Sequence, residues 1–423
     1  MAARSLTRSI TLPQAIALYV GAVVGAGVLI LPGVAASTAG PSSLLAWAFD
    51  GLLGLPLALT FAFLAARFPD AGGVSTFTSR AFGPLWGGIV GWFYFFAAVA
   101  GLIIVPLTGG YYVAAAVGWG RTGGFLVAAL ILILAIAANL RGLRLSGRLQ
   151  LLLSGGIVVI LLIASIAALP RMEVTRLTPL FPHGLPAFGQ AIVLIFFAFF
   201  GWEAIAQLSA EFENPTHDII RSTIWSVVLV TLLYLAASLA VVATGTYGNA
   251  SLDRVALAHV ISEAFGGNAR VLTAGVAVLI TLGTTNAYAA ATSRLGYALG
   301  RDHAFPGWMG HLTERSLPRN ALIALGMLTM TGMLLCYFSH WEAEQLFIIP
   351  NSLGLATYIV GTAAGVRIMT GWKRVMAAIA LLLCGAIFPF AGASILLPVG
   401  LAIVAYSYQR LVRNNKIARI VRT

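Results

Sequence analysis

The sequence predicts an all-α polytopic membrane protein, and three observations carry that expectation. Sixty percent of its 423 residues are apolar and only 9% are charged, against about 25% charged in an ordinary globular domain. So few charges could not cover the surface of a water-soluble chain of this length, so lipid must be its main solvent. The apolar residues also fall in runs of about 20, the length a helix needs to cross a hydrocarbon core of about 30 Å. The 46 glycines and 17 prolines are interleaved with Leu, Ile, Val and Phe instead of clustering in linkers, which is the habit of membrane helices.

Twelve runs follow in order: 11–38, 43–66, 85–117, 123–140, 149–169, 187–210, 223–246, 270–299, 320–339, 345–366, 375–391 and 393–409. The first follows Arg4 and Arg8 but is too long, and lacks the small-residue cleavage site, to be a leader; it reads as a spanning helix. Only a tight hairpin at Pro389 and Gly392 separates the last two. The connection 247–269 contains SLDRVALAHVISEAF, which reads as a short surface helix. With both termini cytoplasmic, in a prokaryotic inner or plasma membrane, all but five of the 25 Lys and Arg residues lie inside. The five outside are Arg121, Arg171, Arg176, Arg254 and Arg270. This is a positive-inside pattern, and losing one helix would invert every later loop and destroy it. The net charge of +12 therefore reports topology and attraction to anionic membrane lipid, and no nucleic-acid partner is expected.

Neither cofactor nor metal is expected. Cys336 and Cys384 lie in apolar runs, and no histidine pair has ligand spacing on a helix. None of the histidines falls within a span, which leaves no buried set for hydrolysis. No GxxxxGK[ST] run exists to cradle nucleotide phosphates. Uphill movement of a solute must then draw on a gradient or an exchanged solute.

Two runs carry interruptions. The first reads AVVGAGVLILPG, with Gly25 and Gly27 flanking Ala26 near mid-span and Pro32 beyond. Glycine weakens a helix, and a break frees amide donors on one half-helix and carbonyl acceptors on the other, tolerated in hydrocarbon only beside protein, water or ligand. The alternative is that these glycines only let helices pack closely. The sixth run reads IFFAFFGWEAIAQLSAEFENPTHDIIRS, with Gly201 between bulky phenylalanines and Glu203. An ionisable residue in a span is a functional hypothesis; Glu203 either holds the break open by bonding to freed amides or carries a proton. Two interrupted helices, each opening a set of five, point to an inverted-repeat transporter. The repeats span 11–169 and 186–368, with helices 375–409 outside them, and the whole chain is a single membrane domain.

Several motifs resemble one family. Val23-Val24-Gly25-Ala26-Gly27 with Pro32-Gly33 resembles a first-helix GSG motif, and Arg67-Phe68-Pro69-Asp70-Ala71-Gly72-Gly73 followed by Ala81-Phe82-Gly83 its first inner loop. Phe199-Phe200-Gly201-Trp202-Glu203 and Glu211-Phe212-Glu213-Asn214-Pro215 resemble its sixth helix, and Arg294 with Arg301-Asp302-His303-Ala304-Phe305-Pro306 the end of its eighth. The family is the amino acid–polyamine–organocation superfamily of secondary transporters, and the resemblance covers nearly the whole chain. It implies a LeuT-like fold with a substrate carboxylate on amides around Val24, Gly25, Ala26 and Gly27. The α-ammonium would sit on carbonyls of Val23, Phe197 and Phe200, beside Phe199 and Gly201. Phe197 would act as an aromatic gate, Tyr288 would line the pocket, and Val99 would face it.

This sequence also departs from the family. Ala26 replaces a serine, and Ile157 stands where several members carry a lysine in the fifth helix; the only lysines are Lys373 and Lys416. Coupling through that lysine is excluded. Asp50 lies mid-way along the second run, as a protonatable coupling site, a specificity determinant, or a neutral acid bonded to a neighbouring helix. Thr284 and Thr285, with Asn286, match a region that holds sodium in some relatives, but Thr pairs in membrane helices more often bond their own backbone. The expected function is secondary transport of a neutral apolar amino acid, resembling bacterial methionine and branched-chain exporters, with proton coupling favoured over sodium. Uptake or exchange including cationic substrates, a non-transporting amino-acid sensor and an intramembrane enzyme are the competing readings.

Overall fold

A computed structural model of the chain describes residues 12, 16, 19–20, 23–25, 27–68, 70–141, 147–202, 215–314 and 317–420. The helices are α1 (Gly27–Ala39), α2 (Ser43–Arg67), α3 (Val74–Phe82), α4 (Pro84–Val117), α5 (Gly120–Leu140), α6 (Gly147–Ala168), α7 (Gly184–Ile195) and α8 (Pro215–Thr244). After them come α9 (Ala250–Asp253), α10 (Ala256–Phe265), α11 (Gly267–Arg301), α12 (Arg319–Phe338), α13 (Ala343–Leu346), α14 (Ile348–Ile368), α15 (Gly371–Ile387) and α16 (Leu396–Ile420). Among the described residues there is no strand, and 8 helical stretches are long and apolar enough to cross a membrane. Two of these, 27–67 and 371–412, contain a turn: Gly40–Ser42 in one, and Phe388–Ile395 with Gly392 at φ 60° in the other.

The long helix α4 forms the centre of the bundle. Between Gly87 and Tyr112 nearly every residue is buried, and α4 packs on α5, α11 and α14. A helix apolar on every face is stable only inside protein or lipid. Outward-facing apolar side chains such as Leu272 (73% exposed), Leu335 (62%) and Leu382 (71%) form a surface that lipid, not water, would cover.

Two connections differ from expectation. The segment read as a surface helix folds as α9 and α10, and Ala256, Leu257, Ala258, Val260 and Ile261 are buried. With burial over more than half its circumference, α10 docks on the bundle against α1, α6 and α11. The first inner loop contains α3, whose Val74, Phe77, Thr78 and Ala81 are buried. Its start is fixed by Asp70, which accepts from the Gly72 N–H and the Thr76 hydroxyl at 2.8 Å each, and pairs with Arg301 at 3.4 Å. Burial pushes the Asp70 carboxyl up, but these donors and the Arg301 charge outweigh it and hold the group below its ordinary value.

At the opposite end α9 closes over α1. Asp253 accepts from the Ser37 hydroxyl at 2.7 Å and the Gly248 N–H at 2.9 Å. Nearby, Arg254 pairs with Glu344 (2.6 Å) and Glu342 (3.6 Å), and Arg121 with Glu342 (2.5 Å). The Tyr111 hydroxyl donates to Glu342 at 2.7 Å, so each carboxylate has a cation or a donor.

Candidate substrate site

The expected first interruption is present. Helical geometry reaches Val23, the chain bends at Val24 and Gly25, and α1 begins at Gly27. The Gly25 N–H turns back to the Val23 carbonyl at 2.7 Å. Ala26 lies outside the described residues. The opening turn of α1 presents amides without intrahelical acceptors and the positive end of a helix dipole. Pro32 within α1 has no N–H, so it withdraws the donor that the Val28 carbonyl would otherwise receive.

The second interruption begins earlier than Gly201. Helix α7 stops at Ile195, Phe196–Phe199 form a 3-10 turn, and Phe200 is extended at φ −69° and ψ 142°. Gly201 has φ 122°, a conformation open to glycine and strained for other residues. Trp202 is the last described residue before the gap, so Glu203 and the 211–214 motif lie outside the described residues.

The two interruptions meet. A Cβ on Gly27 would lie 3.3 Å from the Ala198 Cα and 3.4 Å from the Phe197 ring, and one on Gly25 would lie 3.2 Å from the Thr284 methyl. Tyr234 on α8, which the sequence reading missed, joins them. Its buried hydroxyl lies 2.9 Å from the Val23 carbonyl and 3.1 Å from the Ala198 carbonyl, sharing one proton between two backbone acceptors. On the other side of the breaks, Tyr19 and Trp202 stack with centroids 6.1 Å apart.

Beside this junction is a cavity of about 20 Å³ lined by Tyr94, Ala97, Ala98, Gly101, Phe197, Phe200, Tyr288 and Pro350. It has room for about one water, so the site is contracted. Phe197, Phe200 and Tyr288 are among its lining residues. Val99 is not: it packs with Phe95, Leu102 and Leu295, and Ala98 and Gly101 form the α4 wall. Phe199 points away from the cavity, against Trp47 (6.0 Å) and Tyr234 (5.2 Å). Of the expected ammonium acceptors, the Val23 carbonyl already receives Gly25 and Tyr234, which fills both lone pairs. The Phe197 carbonyl receives the Phe200 N–H at 3.3 Å.

Among the polar candidates, Thr284 faces Gly25, while the Thr285 hydroxyl donates to its own helix at Thr281 (2.6 Å). Asn286 accepts from Asn139 at 2.7 Å. Asp50 on α2 is 1% exposed. A larger cavity, about 350 Å³, lies between α5, α11 and the start of α12, lined by Asn139, Ser293, Arg294, Glu314 and Arg319 among others. It touches neither interruption, and Ser293 and Arg294 lie on the face of α11 away from Tyr288, so it is separate from this site.

Apolar helices of bilayer length, with two facing interruptions at a shared buried junction, define an integral membrane protein of the transporter class. The chain matches the amino acid permease family over residues 10–406 and belongs to it. It is thus a transport protein of the amino acid–polyamine–organocation superfamily and not an enzyme. It is 35% identical, over 97% of both chains, to the uncharacterized amino acid permease YecA of Bacillus subtilis (strain 168). It is 27% identical, over 90% of both, to the L-methionine/branched-chain amino acid exporter YjeH of Escherichia coli (strain K12). It is also 28% identical to the branched-chain amino acid permease BcaP of Lactococcus lactis subsp. cremoris (strain MG1363), over 74% of this chain and 73% of that one.

Proposed function

We propose that this permease exports neutral apolar amino acids of the methionine, leucine, isoleucine and valine type across a prokaryotic plasma membrane, by alternating access around the two interruptions. The observation that carries this reading is the packing of Gly27 on Ala198, which sets the amide end of α1 against the carbonyls of the second break beside a cavity without a charged side chain. A zwitterion has one end for each: its carboxylate takes the free amides at Gly27 and Val28, and its ammonium the Phe197 carbonyl. The side chain then lies among Ala98, Gly101, Phe200 and Tyr288. A cationic or acidic substrate would leave its extra charge unpaired there. Twelve spans, as two inverted sets of five (11–169 and 186–368) plus 375–409, with both termini cytoplasmic, fit this mechanism. The name of the YjeH relative supports the substrate class and the outward direction; the gradients set the direction in any one experiment.

Flux of labelled leucine or methionine into proteoliposomes preloaded with unlabelled substrate tests the proposal. Saturable counterflow is expected. Binding without flux would make the chain a sensor and overturn it. Flux is expected to be the same with and without an imposed sodium gradient.

A further inference from the structure

Asp50 is buried, and both of its carboxylate oxygens are without a hydrogen-bond partner among the described residues. We propose that Asp50 is the proton-carrying group of this transporter, releasing and regaining one proton as α2 and the segment Phe199–Trp202 part and close. The proposal rests on reading the paired interruptions as the transport site.

Its position supplies the mechanical link. Ser43, Trp47, Asp50 and Gly54 are spaced i, i+4, i+7 and i+11 and so form one face of α2. That face bears on the second interruption at two levels. The Trp47 ring lies 6.0 Å from Phe199, and the place of a Gly54 Cβ is 3.4 Å from the Trp202 indole nitrogen. Asp50 stands between these contacts. Its neighbour Gly51 lies directly against the Thr231 side chain of α8, and Trp47 packs edge-on to Tyr234 at 5.0 Å. Movement of segment six against α2 therefore cannot leave the surroundings of Asp50 unchanged.

Its chemistry supplies the switch. A carboxylate without partners is strongly disfavoured in a dry interior, so the closed stripe accepts the uncharged acid. Among the described residues, three donors about a helical turn or less from it along the stripe are also buried without hydrogen-bond partners: the Trp47 and Trp202 indole N–H groups and the Thr231 hydroxyl. Small shifts, or entry of water, would let them solvate an anion. Among the described residues no cation faces Asp50. The Cys384 thiol of α15 is the described group with an electrostatic interaction with Asp50. Tyr234 of α8 is occupied by two carbonyls, Tyr358 of α14 stacks on Phe61, and the described residues of α1 and α7 carry no titratable side chain. Arg221 and Arg374 lie about ten residues along their helices from Thr231 and Cys384, about 15 Å away. The step balances without a co-reactant: the O–H bond of the acid breaks, water on one side takes the proton, and water on the other side returns one. Amino acid leaving against an entering proton is the antiport that results.

Proteoliposomes with a pyranine reporter separate the outcomes. Wild type is expected to move protons with substrate and to accelerate when a pH gradient is imposed. Asp50→Asn is expected to keep counterflow, which needs no net proton movement, and to lose at least ten-fold of gradient-driven flux and the proton signal. Asp50→Glu is expected to retain part of both. An Asn variant that still responds to the gradient like wild type overturns the proposal, as does wild-type substrate flux without proton movement, a result that decides the matter even if Asp50→Asn fails to fold. Absence of wild-type counterflow would instead count against the transport site itself.

Discussion

Tyr234 is the residue on which the geometry of the junction turns. Its hydroxyl satisfies two carbonyls that exist as free acceptors only because both helices are interrupted. Tyr234→Phe keeps the ring against Trp47 and Phe199 and removes the bridge. A loss of about 1 kcal/mol is expected, whereas Tyr234→Ala, which also empties the ring's space, should cost about 3–5 kcal/mol. Thermal denaturation in detergent compares the two, and equal stability of wild type and the Phe variant would show that the bridge contributes nothing. Nothing in the apolar run around Tyr234 marks it, because its partners are backbone atoms brought near by folding. Gly25, Gly27 and Gly201, by contrast, stand out in the sequence, although close helix packing is an equally common use of glycine in a span. Val99 was placed one position away from the wall residue Ala98: in a helix buried on all sides, periodicity does not say which face meets the cavity.

Among the elements, the long apolar helices are readable from run length, and the boundaries of α2, α4 and α12 fall within a residue or two of expectation. Of the short ones, α10 is readable as a helix but not as a buried one, and α3 is not readable. Helix α3 hides among Gly72, Gly73 and Gly83, and α10 among charged neighbours, because their burial depends on the bundle they dock on. The start of α3 gives a pH test. The Asp70 carboxyl is held below its ordinary value by Gly72, Thr76 and Arg301 despite its burial, so its contribution is present above the unfolded value, about pH 4, and is lost as pH falls through the lower folded value. Because the pair with Arg301 is partly exposed, the contribution is small, less than about 1 kcal/mol. Asp70→Asn should therefore lower the midpoint of thermal unfolding slightly at pH 7 and equal wild type once the pH is below the lowered folded value. A difference that grows toward acid would contradict the assignment.

At the scale of the whole molecule, one state is seen. The cover of α9 and α10 is pinned at one end through Asp253, and Arg301 pairs with Asp70 at the other, while the central cavity of about 20 Å³ is too small for an amino acid. In the proposed cycle this closed junction opens to each side in turn, and the contact between Gly27 and Ala198 is the proposed place of the substrate. Leucine counterflow by Gly27→Leu, compared with Gly385→Leu, addresses that directly: Gly385 is exposed on α15 with nothing within 4 Å of an added Cβ. With both variants reconstituted at equal amounts, Gly385→Leu should transport like wild type and Gly27→Leu should fall at least ten-fold. Wild-type counterflow by Gly27→Leu would contradict the account.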